Sequence, residues 1–175
     1  MGGMIEKHNN YAFIDSQNVH KGVRSLGWQL DWVRFRVYLQ EKYGVDMAYL
    51  FIGFMPEYTE RYIDLQRAGF VLKFKPVLLE QSGAIKGNVD ADLVLRAMID
   101  YGQYDKAVIV TSDGDFYSLV KYLNKTDKLQ AVLSPRSATC SGLLKKIAGG
   151  KMAFMEVIEK KLSSENKTAP LQDGT

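Results

Sequence analysis

The alternation of short apolar runs with amphipathic stretches of helical length is the feature that most limits the fold of this 175-residue chain. Five apolar runs have the length of β-strands, and most of the stretches between them repeat their apolar residues at helical spacing. Strands separated by helices are joined by right-handed crossovers and therefore lie parallel in one sheet. The sequence thus predicts an α/β fold with strands at residues 11–14, 45–54, 70–77, 107–110 and 129–133.

Residues that favour helix ends set the bounds of the predicted helices. One helix is expected from an N-cap at Asp31 to Gly44, since glycine favours the left-handed position at a helix C-terminus. A second is expected to begin at Pro56 and end at Gly69. Three further helices are predicted, at residues 93–101, 116–123 and 143–147. Residues 78–89 are predicted to form a loop.

The chain is predicted to form one domain over residues 8–161, followed by a disordered polar tail at 162–175. Residues 152–158 fit either a last strand or a helix, and their apolar part, 153–158, is a candidate contact for a homodimer. The longest apolar run, 48–55, is too short to cross a membrane, which takes about 20 residues, so no membrane partner is expected.

Cysteine usage and charge narrow the compartment and the partners. The single cysteine, Cys140, cannot form an internal disulfide, which favours a reducing, cytoplasmic setting with Cys140 as a buried filler. The net charge of +3 is compatible with a polyanionic partner but does not require one.

Five aspartates lie in three short segments that the strand pattern brings to one edge of the sheet. Asp15 follows the first strand, and both Asp113 and Asp115 follow the fourth. Asp90 and Asp92 open a predicted helix. Ligands of open parallel sheets bind outside the carboxyl ends of the strands, so the five carboxylates are expected to converge there. Each close pair would repel by roughly 4 kcal/mol at 4 Å in an effective dielectric near 20, and a hard cation such as Mg²⁺ would relieve that repulsion.

Each acidic segment also has a purely structural interpretation. Asp15 fits the cap of a turn, and Asp92 lies in a first helical turn, where the helix dipole favours a carboxylate. Asp113 fits the cap of the next helix. Capping accounts for one acid per helix, whereas this chain has two pairs at i, i+2 and one separate acid. The set as a whole therefore favours a metal site.

Taken together, the three segments resemble the NYN domain, and within it the LabA-like group, of the PIN-like nuclease superfamily. The matching motifs are Phe-Ile-Asp-x-x-Asn at 13–18, Lys-Gly-x-Val-Asp-x-Asp at 86–92 and Ser-Asp-Gly-Asp-Phe at 112–116. The resemblance covers about residues 9–160. It implies a three-layer Rossmann-like sandwich with a central parallel sheet, and ribonuclease chemistry that depends on Mg²⁺ or Mn²⁺.

Every acidic position of the family pattern is filled, by Asp15, by Asp90 or Asp92, and by Asp113 and Asp115. On physical grounds we expect Asp15, Asp92 and Asp113 to hold one or two Mg²⁺ or Mn²⁺ ions, which would bind phosphate oxygens and activate a water. Asp90 or Asp115 is then expected to orient that water, as carboxylates outside the metal's own ligands do.

Five further residues are candidates for contact with single-stranded RNA. Asn18 and Ser112 belong to the first and third motifs, where they are placed to hold a water or a phosphate oxygen. Lys86 opens the second motif and is placed to neutralise charge that develops on the phosphate. Lys73 and Lys75 alternate with apolar residues along the third strand, so they share one of its faces and are expected to contact the RNA backbone.

Two classes of function stay open at this point. One is a metal-dependent ribonuclease, and the other is a non-catalytic nucleic-acid-binding or adaptor module that retains the acidic cleft. The complete acidic set favours catalysis, and nuclease activity in Mn²⁺ compared with EDTA separates the two classes. Asp100, at the far end of the helix that begins with Asp92, is the control position chosen from the sequence.

Overall fold

Eight strands appear in the part of the chain that this computed structural model describes, residues 8–75, 78–79, 85–86 and 89–164. Six of them are β1 Asn10–Asp15, β2 Val45–Gly53, β3 Phe70–Lys75, β6 Ala107–Val110, β7 Leu129–Ser134 and β8 Met152–Phe154. They form one all-parallel sheet in the order β3-β2-β1-β6-β7-β8. The other two, β4 Leu78–Leu79 and β5 Ile85–Lys86, pair antiparallel inside the segment predicted to be a loop.

Helices cover both faces of the sheet. Their bounds are α1 Ser16–Ser25, α2 Trp32–Tyr43, α3 Thr59–Arg67, α4 Asp90–Ile99, α5 Tyr117–Lys125, α6 Gly142–Ala148 and α7 Glu159–Leu162. Side chains of α1, α2, α3 and α7 belong to one buried cluster, and those of α4, α5 and α6 belong to the other. The predicted three-layer α/β sandwich with a central parallel sheet is therefore confirmed. No helix in the described ranges is long and apolar enough to span a bilayer.

The central strand β1 supplies both cores. All six of its residues are buried, as expected for a strand that has helices on both faces. Ala12 and Ile14 face the layer of α1 and α2, whereas Tyr11 and Phe13 face the layer of α4 and α5. Cys140 is also buried, as predicted.

Helix α1 is missing from the sequence prediction, which contains no helix between the first strand and Asp31. Of its ten residues, only Ser16, Val19 and Val23 are buried, so its apolar stripe is too thin to reveal the helical period. The helix instead begins at a cap, because the backbone N–H of Asn18 donates a 3.1 Å hydrogen bond to Oδ1 of Asp15. The first acidic motif therefore also starts a helix.

The caps of α2 agree with the sequence. Asp31 accepts hydrogen bonds from the backbone N–H groups of Val33 and Arg34, at 3.0 and 3.1 Å. Gly44 ends the helix with a φ of +63°, a value that a residue without a Cβ adopts at little cost.

The C-terminal segment combines both structures that its sequence allowed. Strand β8 is followed by a 3-10 turn at Met155–Ile158, in which Met155 is fully buried and Val157 is 77% exposed. Leu162 is buried as well, so the described fold continues past the predicted boundary at residue 161. Residues 165–175, most of the predicted tail, lie outside the described residues, and the proposed homodimer contact stays a prediction.

The order of the strands reverses between β1 and β6. The chain leaves β1 into α1 on one face of the sheet and leaves β6 towards α5 on the other. The two connections diverge, which opens a crevice at the carboxyl ends of these strands, and open α/β sheets bind their ligands in such a crevice. Asp15 ends β1 and Thr111 follows β6, so two of the acidic motifs reach this place.

A close contact between α1 and the loop after β7 holds one side of this crevice. A Cβ added at Gly22 would lie 2.5 Å from Cβ of Pro135, which is closer than two non-bonded carbon atoms can approach. We expect Gly22→Ala to lower the free energy of unfolding by about 1–3 kcal/mol, because the loop must move away from α1. Gly102→Ala is the matched control: no atom lies within 4 Å of its added Cβ. Its effect should stay within about 0.5 kcal/mol, and equal stability of the two variants in urea denaturation would contradict the expectation.

Candidate functional site

Three aspartates form a compact acidic group at the carboxyl ends of the strands. One carboxylate oxygen from each of Asp90, Asp113 and Asp115 lies within 4.8 Å of the other two. Asp90 opens α4, and the other two flank Gly114 in the turn between β6 and α5. Asp90 and Asp113 are half-buried and Asp115 is exposed. Oxygen donors grouped in this way are the ligand type that Mg²⁺ and Mn²⁺ take.

Local hydrogen bonds fix the turn that carries two of these acids. The backbone N–H of Asp113 donates to the hydroxyl of buried Thr111 at 3.2 Å, and that of Asp115 donates to Oδ1 of Asp113 at 2.9 Å. Gly114 lies against Ser141, since a Cβ at this position would be 2.7 Å from the serine Oγ. A larger residue at Gly114 would therefore displace the Ser141 side chain. Nothing near Ser141 in the sequence signals this contact, which depends on how the two loops pack.

Asp15 borders the group from the end of β1. Its side chain is only 6% exposed, and burial is the largest cause that raises its pKa to about 6. The negative charges of Asp90 and Asp113 raise the pKa further, whereas hydrogen bonds from Asn18 and Thr111 lower it. Four of the five predicted acids are therefore close enough to act on one another.

Asn18 and Ser112 are bonded to each other. Oδ1 of Asn18 accepts hydrogen bonds from the backbone N–H of Ser112 at 2.8 Å and from its hydroxyl at 2.9 Å. The sequence suggested that these side chains hold a water or a phosphate oxygen. Their mutual bonds instead join the first acidic motif to the third, which fixes Asp15 relative to Asp113.

Asp92 lies apart from the acidic group. A helix turns by about 100° per residue, so a residue two positions after Asp90 lies on nearly the opposite side of α4. The Asp92 side chain is 52% exposed, and its Oδ2 is 3.9 Å from Nζ of Lys75. The metal set expected from the sequence, Asp15, Asp92 and Asp113, is thus not the set of carboxylates that the structure groups together.

The two lysines of β3 share one face of the strand, as predicted. Lys73 pairs in register with Phe51, and its ammonium group lies 5.2 Å from the centre of the Tyr49 ring. Lys75 reaches Asp92 on the same side of the sheet. The backbone of Lys86 pairs with Leu78 in the β4–β5 ribbon, and its side chain lies outside the described atoms.

The raised pKa of Asp15 leads to a pH-dependent prediction for the metal-free protein. Its folded-state pKa of about 6 is above the ordinary value of 3.8, so the protonated side chain stabilises the fold below pH 4. That contribution is lost as the pH rises through 6, because a charge must then be buried. Asparagine keeps the N-cap acceptor and carries no charge. We therefore expect Asp15→Asn to raise the free energy of unfolding above pH 6, by on the order of 2 kcal/mol, and to have little effect near pH 4.

Chemical denaturation in EDTA across this pH range measures the effect. Asp64→Asn on α3 is the control, because the Asp64 side chain is 75% exposed, and its stability should follow the wild type at every pH. If the free energies of unfolding of Asp15→Asn and the wild type differ by the same amount from pH 4 to pH 8, the pKa of Asp15 is not raised by folding.

Comparison with known proteins supplies the family. Residues 11–148 match the family model of the NYN domain. Among solved structures, the chain is similar to VPA0982, a protein of unknown function from Vibrio parahaemolyticus RIMD 2210633. That protein is 21% identical, the match covers 93% of this chain and 100% of the other, and the TM-score of 0.77 shows a shared fold. No curated protein matches the sequence. Because the NYN model covers most of the chain, the protein belongs to the NYN domain family, a family of nuclease type.

Proposed function

We propose that the protein is a cytoplasmic ribonuclease of the LabA-like group that hydrolyses phosphodiester bonds of single-stranded RNA with Mg²⁺ or Mn²⁺ as cofactor. The observation that carries the proposal is the group of Asp90, Asp113 and Asp115, which lies at the crevice between β1 and β6 in an NYN-family fold. Family membership supports the nuclease class, and the three LabA-like motifs of the sequence support the subgroup.

The side chains at this edge fit a divalent cation. They offer three carboxylate oxygens within 4.8 Å of one another, which are hard donors of the kind that Mg²⁺ and Mn²⁺ prefer. Asp15 adds a fourth carboxylate, and its burial beside Asp90 and Asp113, which raises its pKa to about 6, disfavours its ionised form. We therefore assign Asp90, Asp113 and Asp115 as ligands and Asp15 as the buried acid beside them.

When bound, a divalent cation neutralises charge on a phosphate and lowers the pKa of a water. The protein's own part is to hold the acids in place. The Asn18–Ser112 bridge fixes the first motif against the third, and the Thr111 hydroxyl fixes the turn of Asp113. Such supporting hydrogen bonds hold metal-binding side chains in position.

The basic residues are assigned to the RNA. Lys73 and Lys75 lie on the face of the sheet that α4 covers, the side on which Asp90 enters the site, and we assign them to the phosphate backbone of the strand. Lys86, from the motif that contains Asp90, is assigned to charge that develops on the phosphate. Binding through these groups would be independent of base sequence and would weaken as salt rises.

Metal binding is the first test. Mn²⁺ or Mg²⁺ should raise the melting temperature of the wild type, because a ligand that binds only the folded state stabilises it by about 2.7 kcal/mol at 100 times its dissociation constant. Asp113→Asn should abolish most of this increase, whereas Asp64→Asn should retain it. The measurement is a thermal melt across a titration of each ion. A wild type whose melting temperature does not respond to millimolar Mn²⁺ would argue against the metal site.

Cleavage separates the enzyme from a non-catalytic binding module. We expect Asp90→Asn and Asp113→Asn each to reduce Mn²⁺-dependent cleavage of a labelled single-stranded RNA by roughly 100-fold or more, at least the loss seen when a supporting partner of a metal ligand is removed. The double variant should be little worse than either single variant, because the residues act as a unit.

Asp64→Asn is again the control and should cut as the wild type does. Asp100 is unsuitable for that purpose, although the sequence suggested it, because it is 2% exposed and lies 3.1 Å from the Arg96 guanidinium. Removing its charge would leave Arg96 without its partner and disturb the fold. Equal cleavage by wild type and Asp113→Asn would point to a contaminating nuclease and would favour the non-catalytic module.

A further inference from the structure

The loop that joins β7 to α6, residues 135–141, contains an arginine that the proposed mechanism does not use. Arg136 lies two residues past the end of β7, and its side chain is partly exposed. Among the residues that the structure describes, its guanidinium makes no hydrogen bond or ion pair. An unpaired arginine in this position is notable, because the neighbouring β6–α5 turn contains two carboxylates.

The end of β7 and the end of this loop both contact the acidic segment after β6. In β7, just before the loop, the carbonyl of Leu133 accepts a 3.1 Å hydrogen bond from the backbone N–H of Thr111. At its end, the backbone N–H of Ser141 donates to the carbonyl of Ser112 at 3.0 Å, and Ser141 also lies against Gly114. The loop therefore borders the crevice in which Asp90, Asp113 and Asp115 meet.

The backbone on either side of Arg136 is firmly held. Pro135 is buried against Gly22 of α1, and its carbonyl accepts a 3.1 Å hydrogen bond from the backbone N–H of Glu156. The backbone N–H of Ser137 donates to the Glu156 carboxylate at 2.8 Å. The point from which the Arg136 side chain extends is thus fixed by contacts with α1 and with the 3-10 turn after β8.

A guanidinium group on a fixed backbone is suited to an oxyanion. Its N–H donors match two oxygens of a phosphate at once, which a lysine ammonium cannot do in the same geometry. Because the backbone is already ordered, binding costs less conformational entropy than it would on a free loop. Phosphate is also the ligand expected beside a cation site that cleaves phosphodiesters.

We propose that Arg136 binds the phosphate of the strand being cut, with its guanidinium on a non-bridging oxygen, on the side of the crevice opposite α4. This inference rests on the proposed nuclease function and adds a substrate-binding residue from outside the three acidic motifs. Its positive charge stabilises the negative charge that increases on the phosphate in the transition state.

Three variants test the proposal in the full-length protein with Mn²⁺ and a labelled single-stranded RNA. Arg136→Ala should lower kcat by about 100-fold or more, the loss typical of a missing transition-state donor. Arg136→Lys should keep part of the rate, since it retains the charge without the forked geometry. Arg67→Ala is the matched control: Arg67 is 76% exposed on α3, where its guanidinium lies 3.4 Å from the Asp64 carboxylate, and this variant should cut normally.

Two further measurements distinguish substrate binding from a structural role. Millimolar guanidinium ion should restore part of the cleavage by Arg136→Ala, and ammonium ion should not. The Mn²⁺-dependent increase in melting temperature should be the same in Arg136→Ala and the wild type. If Arg136→Ala does not fold, as judged by circular dichroism, Arg136→Gln takes its place in the same comparison.

Full cleavage by Arg136→Ala would overturn this inference and leave the nuclease proposal standing. Loss of Mn²⁺ binding together with cleavage would also overturn it, because Arg136 would then act on the carboxylates. A wild type without Mn²⁺-dependent cleavage would overturn the nuclease proposal itself.

Discussion

Repulsion between carboxylates at one edge of the sheet is the interaction on which the rest of this structure depends. The oxygens of Asp90, Asp113 and Asp115 that lie within 4.8 Å of one another come from two segments far apart in sequence. Like charges this close repel one another, more strongly between half-buried Asp90 and Asp113 than at exposed Asp115, where water screens the charge. Buried Asp15 adds to that repulsion. The surrounding fold must therefore supply enough packing energy to hold together a group that is unfavourable without a ligand, as functional sites commonly do.

The fold holds the acidic group together by using residues of the acidic motifs as structural elements as well. Asp15 is the last residue of a fully buried strand and the N-cap of α1, so its carboxylate is held by the element that it starts. Asn18, in the first turn of that helix, accepts both hydrogen bonds from Ser112 and thereby joins the two motifs. Removing the Asp15 carboxylate consequently changes a helix cap as well as a charge. Asparagine is therefore the informative replacement, because it keeps an oxygen that can cap α1.

The sequence predicted the parts of this structure that depend on periodicity and caps. Strands and the bounds of α2 agree, because buried strands and a capped amphipathic helix leave regular patterns. Helix α1 was missed, since a helix that buries so few side chains has almost no apolar period. Asp92 was grouped with the metal ligands because spacing along the chain does not show which side of a helix faces a cleft. The Asn18–Ser112 bridge was likewise invisible, as it depends on side-chain geometry between separate motifs.

Helix α4 shows that the fold can neutralise a buried carboxylate internally. Asp100, near its end, is paired with the Arg96 guanidinium at 3.1 Å, and Arg96 in turn lies 5.7 Å from the centre of the Tyr49 ring. At the other end of the sheet, Asp15 receives only hydrogen bonds, and the charges that act on it, from Asp90 and Asp113, are of its own sign. Among the described residues, Asp100 thus has a cationic partner, whereas the charged groups that act on Asp15 are both acidic. The divalent cation proposed for this site would neutralise Asp15 from outside, as Arg96 neutralises Asp100 from within.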